Sequence, residues 1–395
     1  MADPPVLTRA ALNRALLARQ HLLERTGRPV VEVVEHLVGL QAQNAWSPYV
    51  GLWSRVDGFT HDALGDALLD RRLTRIAVMR GTIHLVSARD AFLLPGLTAP
   101  LYVRDLEVNA QHAAALRTVD VPAVTARARA LVEESPRVST DLGRALAEEW
   151  PDVPATTLAY AARGTLPLVQ VPPRGVWGRS GATTWTTTTA WFGATAASRA
   201  PDLTDPDVLA AAQEDLLLRY LAAFGPASVA DAQAWSGLTG LAAVVDRLGD
   251  RVVRFTAEPS PGKVRPREVL DVPDGPRPAG DVPAPVRFLP DLDNVLLSHA
   301  DRTRIVSDER RRSLQSKNGV LPGTVLVDGE VAAVWRVERE RLAPGPGRRR
   351  RESATLVVRP LGDLSPRARR EVTAESERFV GFMADDAATH AVDVR

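Results

Sequence analysis

The stretch Arg137-Val138-Ser139-Thr140-Asp141-Leu142-Gly143-Arg144-Ala145-Leu146 has a counterpart further along the chain, Gly225-Pro226-Ala227-Ser228-Val229-Ala230-Asp231-Ala232-Gln233-Ala234-Trp235. Both set Ser or Thr as an N-cap before a short helical pattern with an acid in its first turn. A longer amphipathic segment precedes each, at 122–134 and 205–224. Another helical segment follows, at 154–163 and 241–248, and then a strand-like run, at 166–171 and 251–256. Helix, helix, helix, strand is the order of a winged helix. The N-terminal residues fit the same plan. Residues 7–23 are helical, with Leu12, Leu16, Leu17 and Ala18 on one side. A second helix at 29–40 has proline near its start, and a third covers 61–69. Runs at 75–79 and 82–86 flank Arg80-Gly81 and read as a hairpin. The expectation is three tandem winged-helix units, at roughly 7–95, 120–180 and 205–256.

Beyond them the hydrophobic period changes from helical to alternating. Residues 257–285 are rich in Pro, Gly and Asp and read as a linker or surface loop. Short strands are expected at 286–289, 304–306, 325–327, 332–337 and 355–358, with Asp328-Gly329 as a hairpin turn. Residues 344–351 form a basic turn, and 366–383 a terminal helix. The fold class is therefore α+β: three tandem winged-helix units followed by a C-terminal β-barrel, or a curved sheet closed by a helix. The divisions expected are 1–95, 96–185, 186–256 and 257–395.

A chain of 395 residues is too long for one core. Its 45% hydrophobic and 25% charged residues are ordinary for a globular protein. No run of 18 apolar residues predicts a transmembrane helix, and Met1 to Pro5 lack the basic start of a signal peptide. Without cysteine there is no disulfide and no thiol-ligated metal. The seven histidines lack the spacing of a metal pair, so a cytoplasmic protein with no metal and no cofactor is expected. Net charge is only +1, yet the bases are almost all arginine, with Lys263 and Lys317 the only lysines. They cluster at 302–312, 348–351 and 367–370, away from the acids Glu133, Glu134, Glu148 and Glu149. One basic face on a nearly neutral protein suits a phosphate-bearing partner.

Few motifs carry chemistry. Gln41-Ala42-Gln43, ahead of Trp46, Tyr49 and Trp53, sets two carboxamides one residue apart. In an extended segment both face one way and can hold a water between them. Glutamine does not titrate, so it orients a nucleophile rather than deprotonating it. The alternative is a helix end capped by the two amides. The run 166–171 continues into Pro172-Pro173-Arg174-Gly175 and returns through Val176-Trp177-Gly178-Arg179, a hairpin with strong turn chemistry at its tip. Arg174 and Arg179 then flank Trp177 for nucleic-acid contact, unless Trp177 packs inward. Arg302 and Arg304 are further candidate DNA contacts. Ser298, His299 and Asp301 lie too close in sequence for a hydrolytic triad. Asp291 and Asp293 read as turn formers, and His84, alternating with Ile83 and Leu85, as a structural histidine.

Four segments occur in a telling order: Gly39 to Gln43, Arg80-Gly81-Thr82-Ile83-His84-Leu85-Val86, the hairpin at 166–178, and Phe288-Leu289-Pro290 to Arg302. Together they resemble the winged-helix DNA glycosylases of the AlkZ and YcaQ type, over nearly the whole chain. The resemblance implies tandem winged helices, a C-terminal barrel and a concave DNA-binding surface. It assigns catalysis to Gln41 and Gln43. The third motif position is glutamine, as in the AlkZ branch, not aspartate, as in the YcaQ branch; Ala42 is smaller than the aliphatic residue often found between them. It further implies a monofunctional glycosylase, acting as a monomer on double-stranded DNA with alkylated purines. Bulky N7-alkylpurines are the substrate class, and some members unhook crosslinks made by antibiotics. Two rivals stand beside it: a winged-helix regulator that reads sequence, and a drug-sequestering protein with Trp46, Tyr49 and Trp53 around an aromatic ligand.

Overall fold

The computed structural model describes residues 6–314, 322–342 and 352–395. The basic turn expected at 344–351, with its arginine run, lies outside them. In the first third of the chain the helices Val30–His36, Ser47–Arg55 and His61–Leu69 precede the strands Leu73–Ala77 and Ile83–Ser87. The caps are those that the side chains dictate. Thr60 accepts from the Ala63 amide, and Ser87 accepts from the Asp90 amide to start the long helix Ala88–Val108. Helices Val121–Glu134, Ser139–Ala147 and Ala155–Thr165 follow, then strands Leu168–Gln170 and Thr184–Thr187. The third set is Pro206–Phe224, Val229–Ser236 and Leu241–Leu248, ending in strand Val253–Ala257. Ser228 and Asp231 close a reciprocal capping box on its middle helix.

These sets are not separate bodies. One six-stranded sheet runs in the order Leu40–Gln41, Ile83–Ser87, Leu73–Ala77, Leu168–Gln170, Thr184–Thr187, Arg137–Val138. Its middle joint is antiparallel, with Arg75 opposite Gln170 and Ile76 opposite Val169. One apolar core also spans distant segments, from Leu16 and Leu17 through Leu94, Tyr220 and Phe224 to Leu289, Ile305 and Val331. Positions 95, 185 and 256 fall within the helix Ala88–Val108, the strand Thr184–Thr187 and the strand Val253–Ala257.

Several expectations need correction. The strand Leu168–Gln170 returns as Thr184–Thr187, not as residues 176–179. The segment between them is no projecting ribbon: Val171 and Val176 are buried, and the Gly175 carbonyl accepts from the Tyr49 hydroxyl at 2.9 Å. The apolar residues at that supposed tip found a core to fill. Residues 267–271, inside the expected linker, form a strand paired with Val253–Ala257, and Val6–Leu7 adds to the same sheet in parallel. Residues 304–306 form a turn, not a strand: the Ile305 and Val306 amides donate back to the Arg302 carbonyl at 2.9 and 3.0 Å.

The C-terminal sheet is open, not a barrel. Its order is Arg287–Leu289, Gly323–Val327, Glu330–Arg341, Glu352–Pro360, Thr389–Val394. The last strand arrives after the helix Pro366–Met383 and pairs in parallel with Glu352–Pro360. A helical crossover of this kind places the strand beside its predecessor, so the sheet does not close on Arg287–Leu289. The helix covers one face instead, with Phe379 against Phe288 and Trp335 at 4.5 and 4.8 Å between ring centroids. Asp328 and Gly329 form the expected tight turn, at φ of 46° and 82°.

Buried charge ties this sheet region to the N-terminal helices. Arg55 and Asp293 meet bidentately at 2.8 and 3.0 Å, both essentially without solvent exposure. Replacing Asp293 by alanine strands the guanidinium, so Asp293→Ala lowers stability by about 3–5 kcal/mol in denaturant unfolding. Burial, then the neighbouring Arg80 charge, pushes the His84 imidazole down to about 3. Burial and the charges of His36, Arg55 and Arg28 bring His21 to about 4. Both are neutral in the fold, whereas the unfolded chain takes up protons near pH 6.5. This contribution is complete above pH 6.5 and is lost as pH falls toward 4 and below. The melting temperature should therefore decline over that interval, and less steeply in a His84→Gln variant.

Candidate active site

The Gln-x-Gln segment lies where the six-stranded sheet, the third helical set and the segment after Leu289 meet. Leu40–Gln41 is a two-residue strand, with Gln41 opposite His84. The ladder reaches one bond further, from the Ala42 amide to the Ile83 carbonyl at 2.8 Å. Gln41 is buried, whereas Gln43 is exposed. Each amide oxygen has a donor from the adjacent hairpin. Arg80 Nη2 donates to Gln41 Oε1 at 2.8 Å, and the Ile83 backbone N–H to Gln43 Oε1 at 3.4 Å. Neither glutamine caps a helix. Both turn toward the connection Met79–Gly81, and each carbonyl oxygen retains a second lone pair.

A short turn from the C-terminal region frames the segment. Asn294 donates to the Gly39 carbonyl at 2.7 Å and accepts from the Gln41 amide at 3.4 Å. Asp291 accepts from Asn44 at 3.3 Å and from Ser47. Asp293 accepts from the Val295 amide, capping the helix Asn294–Leu297, and from Arg55. Asp293 thus has the capping role read for it, whereas the Asp291 carboxylate bonds across to the segment after the glutamines. On the opposite side, buried Arg75 donates to the Ala42 carbonyl at 2.7 Å. Its Nε and Nη1 find no partner among the described residues.

Arginine without carboxylate marks this region. Arg80 is half-buried, with φ of 54°, and donates to the Trp235 carbonyl as well as to Gln41. Burial and the facing Arg302 lower its guanidinium to about 10, still charged at neutral pH. Arg75 is likewise lowered to about 10, by burial and by Arg174. Arg163 donates to the Gly81 carbonyl at 2.7 Å.

The other candidates separate into four places. Arg302 follows residues 300 and 301, whose amides bond Asp231 on the helix Val229–Ser236, and its charge faces Arg80, held by the Trp235 carbonyl of the same helix. Arg179 is exposed, and with Trp46, Tyr49, Trp177, Trp335 and Asp291 it lines an open groove of about 930 Å³ beside the motif. Trp177 packs inward within that groove: it stacks on His61 at 4.0 Å and donates to Asp385 at 3.2 Å. Arg174 lies half-buried behind, donating to the Gly181 carbonyl at 3.2 Å. Arg304 is no surface contact. Only 1% exposed, it donates to the Pro226 carbonyl and faces Asp231 at 3.9 Å. Trp53 turns away from the groove and packs on Phe379 and Phe382. Ser298, His299 and Asp301 bond separately, to Asn294, Phe224 and Ser260. Among the described residues, no cluster of His, Asp and Glu is placed to hold a metal ion, and no helix is long and apolar enough to cross a membrane.

Sequence reasoning missed the roles of Arg75, Arg80 and Asn294. A two-residue turn, Arg80-Gly81, between alternating runs was the visible signal for Arg80. Nothing local marked Arg75, whose importance comes from strand pairing.

The family model described as DNA glycosylase AlkZ-like matches residues 34–382. The solved structure of Streptomyces sahachiroi DNA glycosylase AlkZ is similar, with a TM-score of 0.75 at 20% identity, covering 99% of this chain and 100% of that one. At that identity the likeness speaks for the fold. No curated protein sequence matches the chain. The family match spans most of the chain and includes both glutamines: the protein belongs to the AlkZ-like DNA glycosylase family.

Proposed function

We propose that this protein is a monofunctional glycosylase that removes bulky N7-alkylpurines from double-stranded DNA, with Gln41 and Gln43 holding the attacking water. The observation that carries this reading is that one hairpin fixes both amide oxygens, Gln41 through Arg80 and Gln43 through the Ile83 N–H, beside arginines that lack carboxylate partners. N7-alkylation leaves the purine cationic. When its N9–C1′ bond breaks, the electron pair neutralises the base, which departs easily. Water oxygen bonds to C1′ and its proton goes to solvent, leaving an abasic site. Departure runs ahead of attack, so a strong base is unnecessary. Two fixed carbonyl dipoles suffice to place the water and face the developing sugar cation. Buried, neutral His84 is a poor proton acceptor at this site. Among the described residues no lysine contacts either glutamine, which disfavours a covalent imine route.

Three repeats of helix, helix, helix, strand support the reading as tandem winged helices acting as one monomer. The groove supports the choice of bulky lesions. It is open and aromatic, so an adduct's bulk has a place without complete base extrusion, unlike a tight flipping pocket. The same openness suits crosslinked strands. Drug sequestration also draws on Trp46 and Tyr49, but Trp53 lies outside the groove.

Release of free base from duplexes carrying small, bulky and crosslinked N7-guanine lesions tests the function. Gln41→Ala and Gln43→Ala should each slow release on the order of 10²-fold, with little change in melting temperature. A folded double variant that excises at the full rate rejects the assignment.

Binding should not depend on sequence and should weaken steeply with salt, the logarithm of affinity falling linearly with that of salt concentration. Titrations at several ionic strengths with two unrelated duplexes check this. An affinity flat in salt, or tied to one sequence, favours the rival readings.

A further inference from the structure

Many buried or half-buried arginines of this chain face a carboxylate, as Arg14, Arg19, Arg25, Arg55 and Arg219 do. Arg80, Arg163 and Arg302 do not. Among the described residues their partners are Gln41 and three backbone carbonyls, those of Trp235, Gly81 and His299. Two positive charges thus meet at one turn, and that of Arg302 faces Arg80 from the segment bonded to Asp231 on the helix Val229–Ser236, whose Trp235 carbonyl holds Arg80. The turn's central residue is held in the left-handed region at φ of 54°. Non-glycine residues seldom adopt that conformation unless their surroundings impose it, and such residues cluster at functional sites.

Left uncompensated, this charge opposes the chemistry proposed above. A sugar cation forming beside Gln41 would be repelled by the guanidinium that holds Gln41. DNA carries the missing counter-charge. A guanidinium has five N–H donors; Arg80 uses one of them on Gln41 and another on Trp235, which leaves three. Arg302 bonds only weakly, through Nε to the His299 carbonyl at 3.5 Å, and both of its Nη groups lack partners among the described residues. Such forks match phosphate oxygens in geometry and charge.

We propose that Arg80 and Arg302 receive one backbone phosphate of the lesion-bearing strand. Arg80 is then a positioning residue: one face of its guanidinium is fixed by the phosphate and the other sets Gln41 against the neighbouring sugar. The bound phosphate removes the repulsion and adds a negative charge near C1′. The site is electrostatically complete only with DNA in place. This inference rests on the glycosylase reading.

The test replaces single phosphates flanking a bulky N7-alkylguanine by neutral methylphosphonates and measures single-turnover base release by the full-length protein. Losing a charge-assisted contact at one linkage should slow the wild type about tenfold. Arg80→Gln should be slower from the start and nearly indifferent to that same linkage, which a merely structural role would not produce. Arg302→Gln supplies the same comparison should the first variant fold poorly. Equal sensitivity at every linkage, or undiminished sensitivity in a folded variant, overturns the clamp. If the wild type releases no base, the glycosylase reading fails, and affinity for a duplex with a tetrahydrofuran abasic analogue decides the clamp separately. Weakening by one neutral linkage, in the wild type but not in Arg80→Gln, supports it; no weakening overturns it.

Discussion

The ion pair between Arg55 and Asp293 is the joint on which the candidate site depends. It fixes the turn 291–294 against the helix Ser47–Arg55, inside the protein. From that anchor Asn294 reaches Gly39 and the Gln41 amide, while Asp291 reaches Asn44 and Ser47. A two-residue strand has little hydrogen bonding of its own. Here it is held at both ends by side chains more than 240 residues away in sequence. Buried ion pairs are weak sources of net stability, because desolvation offsets their attraction. Their value here is geometric: the pair permits one arrangement of two chain segments and penalises others.

Arg75 supports the same strand from the opposite side. Its bond to the Ala42 carbonyl falls between the two glutamines, and Gly175 closes over its stem, where a Cβ would approach Arg75 Cδ to 3.0 Å. Gly175 has φ of 99°, so the loop 171–183 takes its course there partly because a residue without a side chain permits it. A buried arginine with two unpartnered N–H groups is costly, and it lies directly under the motif. The site thus combines amides that do not titrate with cations that stay charged, and its electrostatics change little across physiological pH.

Local patterns were legible in the sequence wherever one element decided its own form. The helices expected at 61–69, 241–248 and 366–383 form as His61–Leu69, Leu241–Leu248 and Pro366–Met383. The Asp328-Gly329 turn followed from positive φ at both positions. Pairings between distant segments were not legible. Pro172, Pro173 and Gly175 signalled a turn correctly, but the return strand at 184–187 lay beyond it, because residues 171–176 had apolar side chains to bury. Arg304 looked like its exposed neighbours in a basic run. Only the fold reveals Asp231 and the Pro226 carbonyl waiting for it. Barrel closure failed for a similar reason: the alternation of strands does not say where a final strand after a helix will add. Gln41 and Gln43 stood out as two amides one residue apart, and resemblance gave them a catalytic role, while their partners Arg80 and Asn294 required tertiary structure.

The joint between Leu73–Ala77 and Leu168–Gln170 gives the first half of the molecule the mechanics of a single plate. Tandem modules on flexible tethers adapt to their partner by rotating about the linkers. A hydrogen-bonded sheet shared between two modules has no such hinge, since rotation would break ladder bonds in its middle. Conformational adjustment therefore falls on whatever binds. A stiff partner fits only where its own curvature already suits the plate, and a partner locally softened or distorted fits at lower deformation energy. Selectivity for damage can thus originate far from the glutamines, in the stiffness of the surface that presents them.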